Sequence, residues 1–305
     1  MIRFKQYVII YAKHLERIVS YKVKRKRITQ IFPWLVPIRK QQQKTMFYLG
    51  MKFDKNIYSK NISDILLPFR LFETRSILYN KETGFDMIYQ ENKVFNLKLA
   101  AKTLDGLLVK PNETFSFWQA VRFADHNTPY KEGLILTNGK LVTTPGGGMC
   151  QMSNLLFWMF LNSPLTIVER HTHNVRDFPY PPSDIPYGTD ATVCEGWLDL
   201  KVRNNTDRTF QIKISFDEEN IYGCLLTDSA IIYKYKVEAK NLFYFRDNQK
   251  IYEQISIFRQ TLDTYADQII IENHLYDNLC RIGYDLPPDV SIIEKQKIKN
   301  GGRNK

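Results

Sequence analysis

Residues 144–173 read TPGGGMCQMSNLLFWMFLNSPLTIVERHTH. A proline and three glycines (Gly146, Gly147, Gly148) precede Cys150, and an unbroken apolar run, Gln151 to Leu161, follows it. Glycines permit positive φ and close approach of backbone to a ligand. The run is long enough for three helical turns and is apolar nearly all round, which predicts a buried helix. Asn162, Ser163 and Pro164 stop it, and Leu165 to Val168 lead into Glu169, Arg170, His171, Thr172 and His173. The stretch therefore predicts a glycine turn, a helix, a loop and a strand that ends in two histidines.

That arrangement places Cys150 at the start of a helix, where unpaired N–H groups and the positive end of the helix dipole stabilise an anion. A thiolate in such a position has a lowered pKa and is the more effective nucleophile. It needs a proton acceptor nearby. His171 and His173, one residue apart on a strand, would share a face, so either can be the base; His173 ends the strand and is the one closer to a cleft. Gln151 and Ser153 are candidate oxyanion donors, Glu169 and Arg170 candidate substrate or ion-pair residues, and Asp190 a candidate partner of a histidine. Each has a plain structural alternative: a buried inert thiol, a capping serine, a surface ion pair, a turn-capping aspartate. A zinc site on His171 and His173, completed by Cys150 or Asp190, would leave the glycines without a role. No Lys-Ser/Thr follows the glycines, which excludes a phosphate loop, and neither metal nor cofactor is expected.

Working outward, GLILT and KLVTT flank Asn138-Gly139, a signal for a hairpin that delivers the chain to the glycines. Upstream, Val94, Leu97, Ala101 and Leu104 share one face of a helix over Tyr89–Leu104 that ends at Asp105-Gly106. A shorter helix is expected at Arg39–Lys44, a strand at Phe69–Tyr79, and short β segments at Leu107–Val109 and Thr114–Trp118. Downstream, Asp190–Val193 reads as a strand. Alternating residues from Leu198 to Leu226, then Ile231–Val237, Leu242–Phe245, Ile251–Phe258 and Gln268–Glu272, predict an antiparallel β region. The fold class is α+β. Four parts follow: a basic helical segment (1–52), a central domain (53–228), a β-rich extension (229–290) and a disordered tail (291–305).

The chain has 305 residues, 44% of them hydrophobic, enough for a real core, and a net charge of +11. That charge is unevenly placed. Residues 1–52 hold 13 Lys or Arg against Glu16 alone, which leaves the remainder near neutral. This argues against nucleic-acid binding by the core and for an anionic membrane surface near residues 1–27. There Val8, Tyr11, Leu15 and Ile18 form an amphipathic helical face. Four scattered cysteines without a CxxC pair fit neither a disulfide framework nor structural zinc. No apolar span of transmembrane length and no clear signal peptide is present, so a cytoplasmic or membrane-associated protein is expected.

Six elements, in order, resemble the VanW family, named for an accessory protein of glycopeptide-resistance clusters: FSFW (Phe115–Trp118), NGK (Asn138–Lys140), PGGGMCQMSN (Pro145–Asn154), ERHTH (Glu169–His173), DATV (Asp190–Val193) and DLKVRNNT (Asp199–Thr206). The likeness extends from about Lys24 and makes the central domain the VanW-like part. It implies peptidoglycan L,D-transpeptidase activity through Cys150, with a wall stem peptide or its precursor as acyl donor. Wall transpeptidation requires export. The other function compatible with the resemblance is a non-catalytic accessory that binds wall peptide, or an envelope protein, in the same cleft.

Overall fold

The computed structural model describes residues 28–137, 140–177, 179 and 185–294. The amphipathic segment before Ile28, the Asn138-Gly139 turn and most of the proline-rich loop lie outside these residues. A helical turn (Ile28–Ile31) and a 3-10 turn (Pro33–Leu35) lead into α1 (Val36–Phe53). In order follow β1 (Ile57–Tyr58), β2 (Phe69–Ile77), α2 (Ile88–Leu104), β3 (Leu108–Val109), β4 (Glu113–Ser116) and α3 (Phe117–Val121). Then come the hairpin β5 (Glu132–Thr137) and β6 (Lys140–Pro145), α4 (Cys150–Leu161), β7 (Thr166–Glu169), β8 (Val175–Arg176) and β9 (Lys201–Arg203). The chain continues through β10 (Phe210–Phe216), β11 (Asn220–Thr227), β12 (Tyr233–Asp247), β13 (Lys250–Asp263), β14 (Ile269–Ile282) and β15 (Ile292–Glu294). The fold is α+β, as the sequence predicts. Among the described residues no helix is long and apolar enough to cross a membrane.

The strands form sheets of order β1-β4-β9-β7, β2-β11-β10-β3 and β15-β12-β13-β14-β8, with β5-β6 on its own. Helix α4 is the common core. Leu155, Leu156, Phe157, Met159, Phe160 and Leu161 are fully buried. At ~1.5–3 kcal/mol for each large apolar side chain removed from water, the helix contributes on the order of 10 kcal/mol of gross burial energy. It lies against β2 and β11 and touches β7. A Cβ at Gly223 of β11 would sit 2.4 Å from Met159 Sδ, so the helix approaches that strand where only glycine leaves room. Phe115 of β4 meets Phe160 from the other side, centroids 5.0 Å apart.

Four local expectations change. The β segment expected through Trp118 stops at Ser116, whose hydroxyl accepts a hydrogen bond from Gln119 N (3.2 Å) and caps α3. A serine ahead of a short apolar run is an N-cap signal, and here it outweighs the β propensity of the aromatics. Asp190–Val193 is not a strand; Ala191 is held by side chains of α4, and Thr192 N donates to His171 O (2.7 Å). The two strands expected between Ile231 and Phe245 are one, β12, with its register broken near Asn241, which has φ +56°. Finally, Ile292–Glu294, expected to be part of a disordered tail, pairs in parallel with β12; residues 295–305 lie outside the described residues.

Candidate active site

The first turn of α4 stands in the wall of a broad cleft of about 2460 Å³, lined among others by Tyr48, Trp118, Tyr130, Cys150, His173 and Thr192. The glycines build the approach to it. Gly146 (φ +78°) and Gly148 (φ +95°) take conformations that L side chains rarely adopt. Gly147 is needed for space: a Cβ there would lie 2.1 Å from the carbonyl oxygen of Gly133. The close backbone approach expected toward a ligand is thus made to strand β5, and the Lys93 side chain covers Gly148. Buried Asn96 fixes the assembly. Its amide donates to Lys131 O (2.9 Å) and Gly147 O (3.1 Å), and its oxygen accepts from Lys131 N (2.8 Å).

The two histidines part company. β7 ends at Glu169, where its register against β9 shifts, so the strand does not run on to carry His171 and His173 on one face. His171 turns to Glu169 Oε1 (3.0 Å). The same carboxylate accepts from Asp199 N (3.1 Å) and pairs with Lys201 (2.8 Å), which makes it a brace between β7 and β9. His173 goes to Asp190, with Nδ1 to Oδ2 at 2.9 Å and its backbone N–H to the same oxygen at 2.6 Å. Its imidazole acts electrostatically on the Cys150 thiol, while the thiol itself donates to Val193 O (3.8 Å). The zinc reading loses its chelating pair, because each histidine is committed to a different carboxylate.

Electrostatics follow from that geometry. Burial pushes the Cys150 thiol up, but hydrogen bonding and attraction to His173 outweigh it, and the net direction is down. Burial pushes His173 down, and hydrogen bonds to Asp190 and Cys150 reverse the sign, so its pKa is raised. Asp190, despite burial, is held at about 2 by His173 and Arg170. The imidazole and the carboxylate behind it thus favour the ionised form of the thiol over the form that burial alone would impose. Cys194, Cys224 and Cys280 all have thiols pushed up by burial.

The remaining candidates sort themselves. Arg170 is committed to structure: Nε to Asp190 O (2.7 Å), Nη2 to Asp190 Oδ1 (3.0 Å), Gly188 O (3.1 Å) and Asn278 Oδ1 (2.9 Å), with its plane over Tyr276. It holds Asp190 rather than facing the cleft, and through Asn278 it ties β14 to the site. Ser153, fully buried, donates to Ala191 O at 2.5 Å, so it is a strut and not an oxyanion donor. The Gln151 amide N–H₂ is spent on Ser76 Oγ (3.0 Å) and Ile77 O (2.7 Å), and its backbone N–H donates to Gly148 O (3.1 Å). Among the described residues, the N–H of Cys150 itself has no acceptor. Two supports escape a sequence reading: Asn154, which accepts from Ala191 N (2.7 Å), and Thr172, which donates to Asp190 (3.2 Å). The available signal was two adjacent polar residues, Ser153 and Asn154, inside an otherwise apolar helix.

The fold and site together define an α+β protein with a cysteine–histidine–aspartate array at the start of a buried helix. Residues 92–226 match the model of the VanW like protein family. The chain is 55% identical over 270 residues to the Vancomycin B-type resistance protein VanW of Enterococcus faecalis (strain ATCC 700802 / V583), covering 88% of this chain and 98% of that protein. It is 38% identical over 164 residues to the uncharacterized protein YoaR of Bacillus subtilis (strain 168), covering 52% of this chain and 50% of that one. No solved structure matches significantly. The chain belongs to the VanW family.

Proposed function

We propose that the protein is a thiol-dependent acyltransferase of the cell envelope that acts on peptidoglycan stem peptides or their precursors by an L,D-transpeptidase-type reaction. The similarity to a protein named for vancomycin resistance supports placing that chemistry in glycopeptide resistance. The observation that carries the reading is the His173 ring held by Asp190 at 2.9 Å and coupled to Cys150 at a helix start. Asp190 fixes the imidazole so that its remaining nitrogen serves the sulfur.

In the proposed reaction the Cys150 thiolate attacks a peptide carbonyl carbon. The Cys150 N–H, free at the helix start, faces the developing oxyanion. His173 gives its proton to the departing amine as the C–N bond breaks, leaving a thioester on Cys150. An acceptor amine attacks the thioester, His173 takes a proton from it, and the new amide leaves with the thiolate restored. Three buried polar atoms in the cleft wall, Gln151 Oε1, Thr192 Oγ1 and Tyr130 Oη, have no partner among the described residues.

The test uses the purified full chain with a stem peptide and a peptide amine, read by intact-protein mass and by product analysis. An acyl adduct on Cys150 and a new amide product are expected; Cys150→Ser should lose both and keep its melting temperature, because serine suits a helix start. Saturable peptide binding with no product, unchanged by Cys150→Ser, would establish a binding accessory and overturn the proposal.

A further inference from the structure

Helix α1 is amphipathic in an unusual sense. Tyr48 and Met51 turn inward and are buried, while Ile38 (59% exposed), Met46 (62%), Leu49 and Phe53 (80%) lie in solvent. At 3.6 residues per turn these four fall on one stripe. Pro37, Gln42 and Thr45 join Ile38, Met46 and Leu49 along a shallow groove on that face. Just upstream, Ile28, Ile31, Phe32 and Trp34 (67%) are exposed as well. Scattered exposed apolar residues need no explanation, but a contiguous set of this size does.

The charges on the element identify the occupant. Residues 28–53 contain Arg39, Lys40, Lys44 and Lys52 and no acidic residue. By the helical repeat, Arg39 and Lys52 fall on the two borders of the apolar stripe, and both are exposed. A second copy docking on this face would bring cations against cations. So would residues 1–27, which carry nine Lys or Arg and a single acid, Glu16. An apolar stripe edged by basic side chains suits a bilayer with anionic headgroups: the stripe enters the acyl boundary, and long basic chains reach back to phosphate.

We infer that the α1 face, residues 28–53, docks on an anionic membrane surface. The cleft shares this helix, since Lys40, Lys44 and Tyr48 line it. Docking therefore holds at the membrane a helix whose opposite face lines the cleft of Cys150. Docking needs only this face of the protein and not the chemistry at Cys150.

The experiment is cosedimentation of the full chain with phosphatidylcholine vesicles and with vesicles of equal phosphatidylcholine and phosphatidylglycerol. Binding to the second set is expected, together with a blue shift of tryptophan emission that Trp34→Phe removes, which separates it from the similarly exposed Trp197. Ile38→Ser with Phe53→Ser should weaken partitioning by about tenfold or more, since two large apolar side chains leave the bilayer. Arg39→Gln with Lys52→Gln should weaken binding only to the anionic vesicles, and more so at low salt. Both pairs are exposed, and circular dichroism checks the fold. Vesicle binding that ignores the serine pair would assign it to residues 1–27 and overturn the inference. So would a dimer in sedimentation analysis that the serine pair dissociates, or no vesicle binding at all.

Discussion

His173→Ala tests the electrostatics of the site directly. Of the influences on Cys150, burial raises its pKa, and His173 is what carries the net shift below the ordinary value of 9.0. Without the imidazole, burial dominates, and the thiol should titrate at 9 or above. At pH 7 such a thiol is at most about 1% thiolate. A thiolate of higher pKa is intrinsically more nucleophilic, with a Brønsted slope of roughly 0.4–0.5, so each unit of rise costs about threefold in alkylation rate below the pKa and not tenfold. The assay is iodoacetamide labelling across pH 6–10, read by peptide mass spectrometry, with Cys194 as an internal reference because it is exposed and its thiol is pushed up. In the native protein, Cys150 labelling should exceed that of Cys194 at neutral pH and level off at a lower pH than that of Cys194. In His173→Ala it should fall at pH 7 by about threefold for each unit that the thiol rises, climb with pH, and approach the native rate at alkaline pH.

The substitution should leave the fold standing. Asp190 keeps the guanidinium of Arg170 (3.0 Å), the Thr172 hydroxyl (3.2 Å) and the backbone N–H of position 173 (2.6 Å), so its buried charge is not orphaned. A loss of labelling cannot then be charged to unfolding, which a melting curve checks. The reasoning is refuted if the two pH profiles coincide, or if Cys194 labels faster than Cys150 in the native protein at neutral pH.

Two further outcomes follow from packing and from linkage. Gly147→Ala, whose Cβ would meet Gly133 O at 2.1 Å, should destabilise by on the order of 1–3 kcal/mol through overpacking; urea unfolding should show a lower midpoint, and an unchanged midpoint would mean that the hairpin yields freely. Asp190 has a folded pKa of about 2 against 3.8. It is a depressed carboxylate whose stabilisation is present above pH 3.8 and is lost as pH falls to about 2. Native protein and Asp190→Asn should therefore differ by ~2 kcal/mol at neutral pH and converge near pH 2; a gap that persists at pH 2 would assign the effect to hydrogen bonding alone.

What was legible in the sequence was what neighbouring residues decide. The apolar run after Cys150 requires a buried helix, Asn138-Gly139 between apolar strands requires a hairpin, and the periodicity around Leu97 requires α2; all three elements are present. The site is a different matter, because its parts are selected over distance. Alternation put His171 and His173 on one face only so long as the strand continued. It stops because Glu169 is taken by Lys201 and by Asp199 N, two positions of the neighbouring chain segment that local patterning does not include. Gln151 and Ser153 looked free to serve an oxyanion because their acceptors, Ile77 and Ala191, are 74 and 38 residues away.

The same distinction separates the place of the thiol from its charge. Local sequence sets Cys150 at a helix start, and the helix end favours an anion there. Burying that end in the core works against the anion, and burial is the largest single influence on Cys150. The balance is decided by His173, whose proton is kept by Asp190, whose carboxylate is kept ionised in turn by Arg170, anchored on Asn278 of β14. The downward shift of the Cys150 thiol therefore depends on a chain of contacts that ends in the C-terminal sheet, outside the span that matches the family model. A change at Asn278 that frees Arg170 should reach the thiol without touching it.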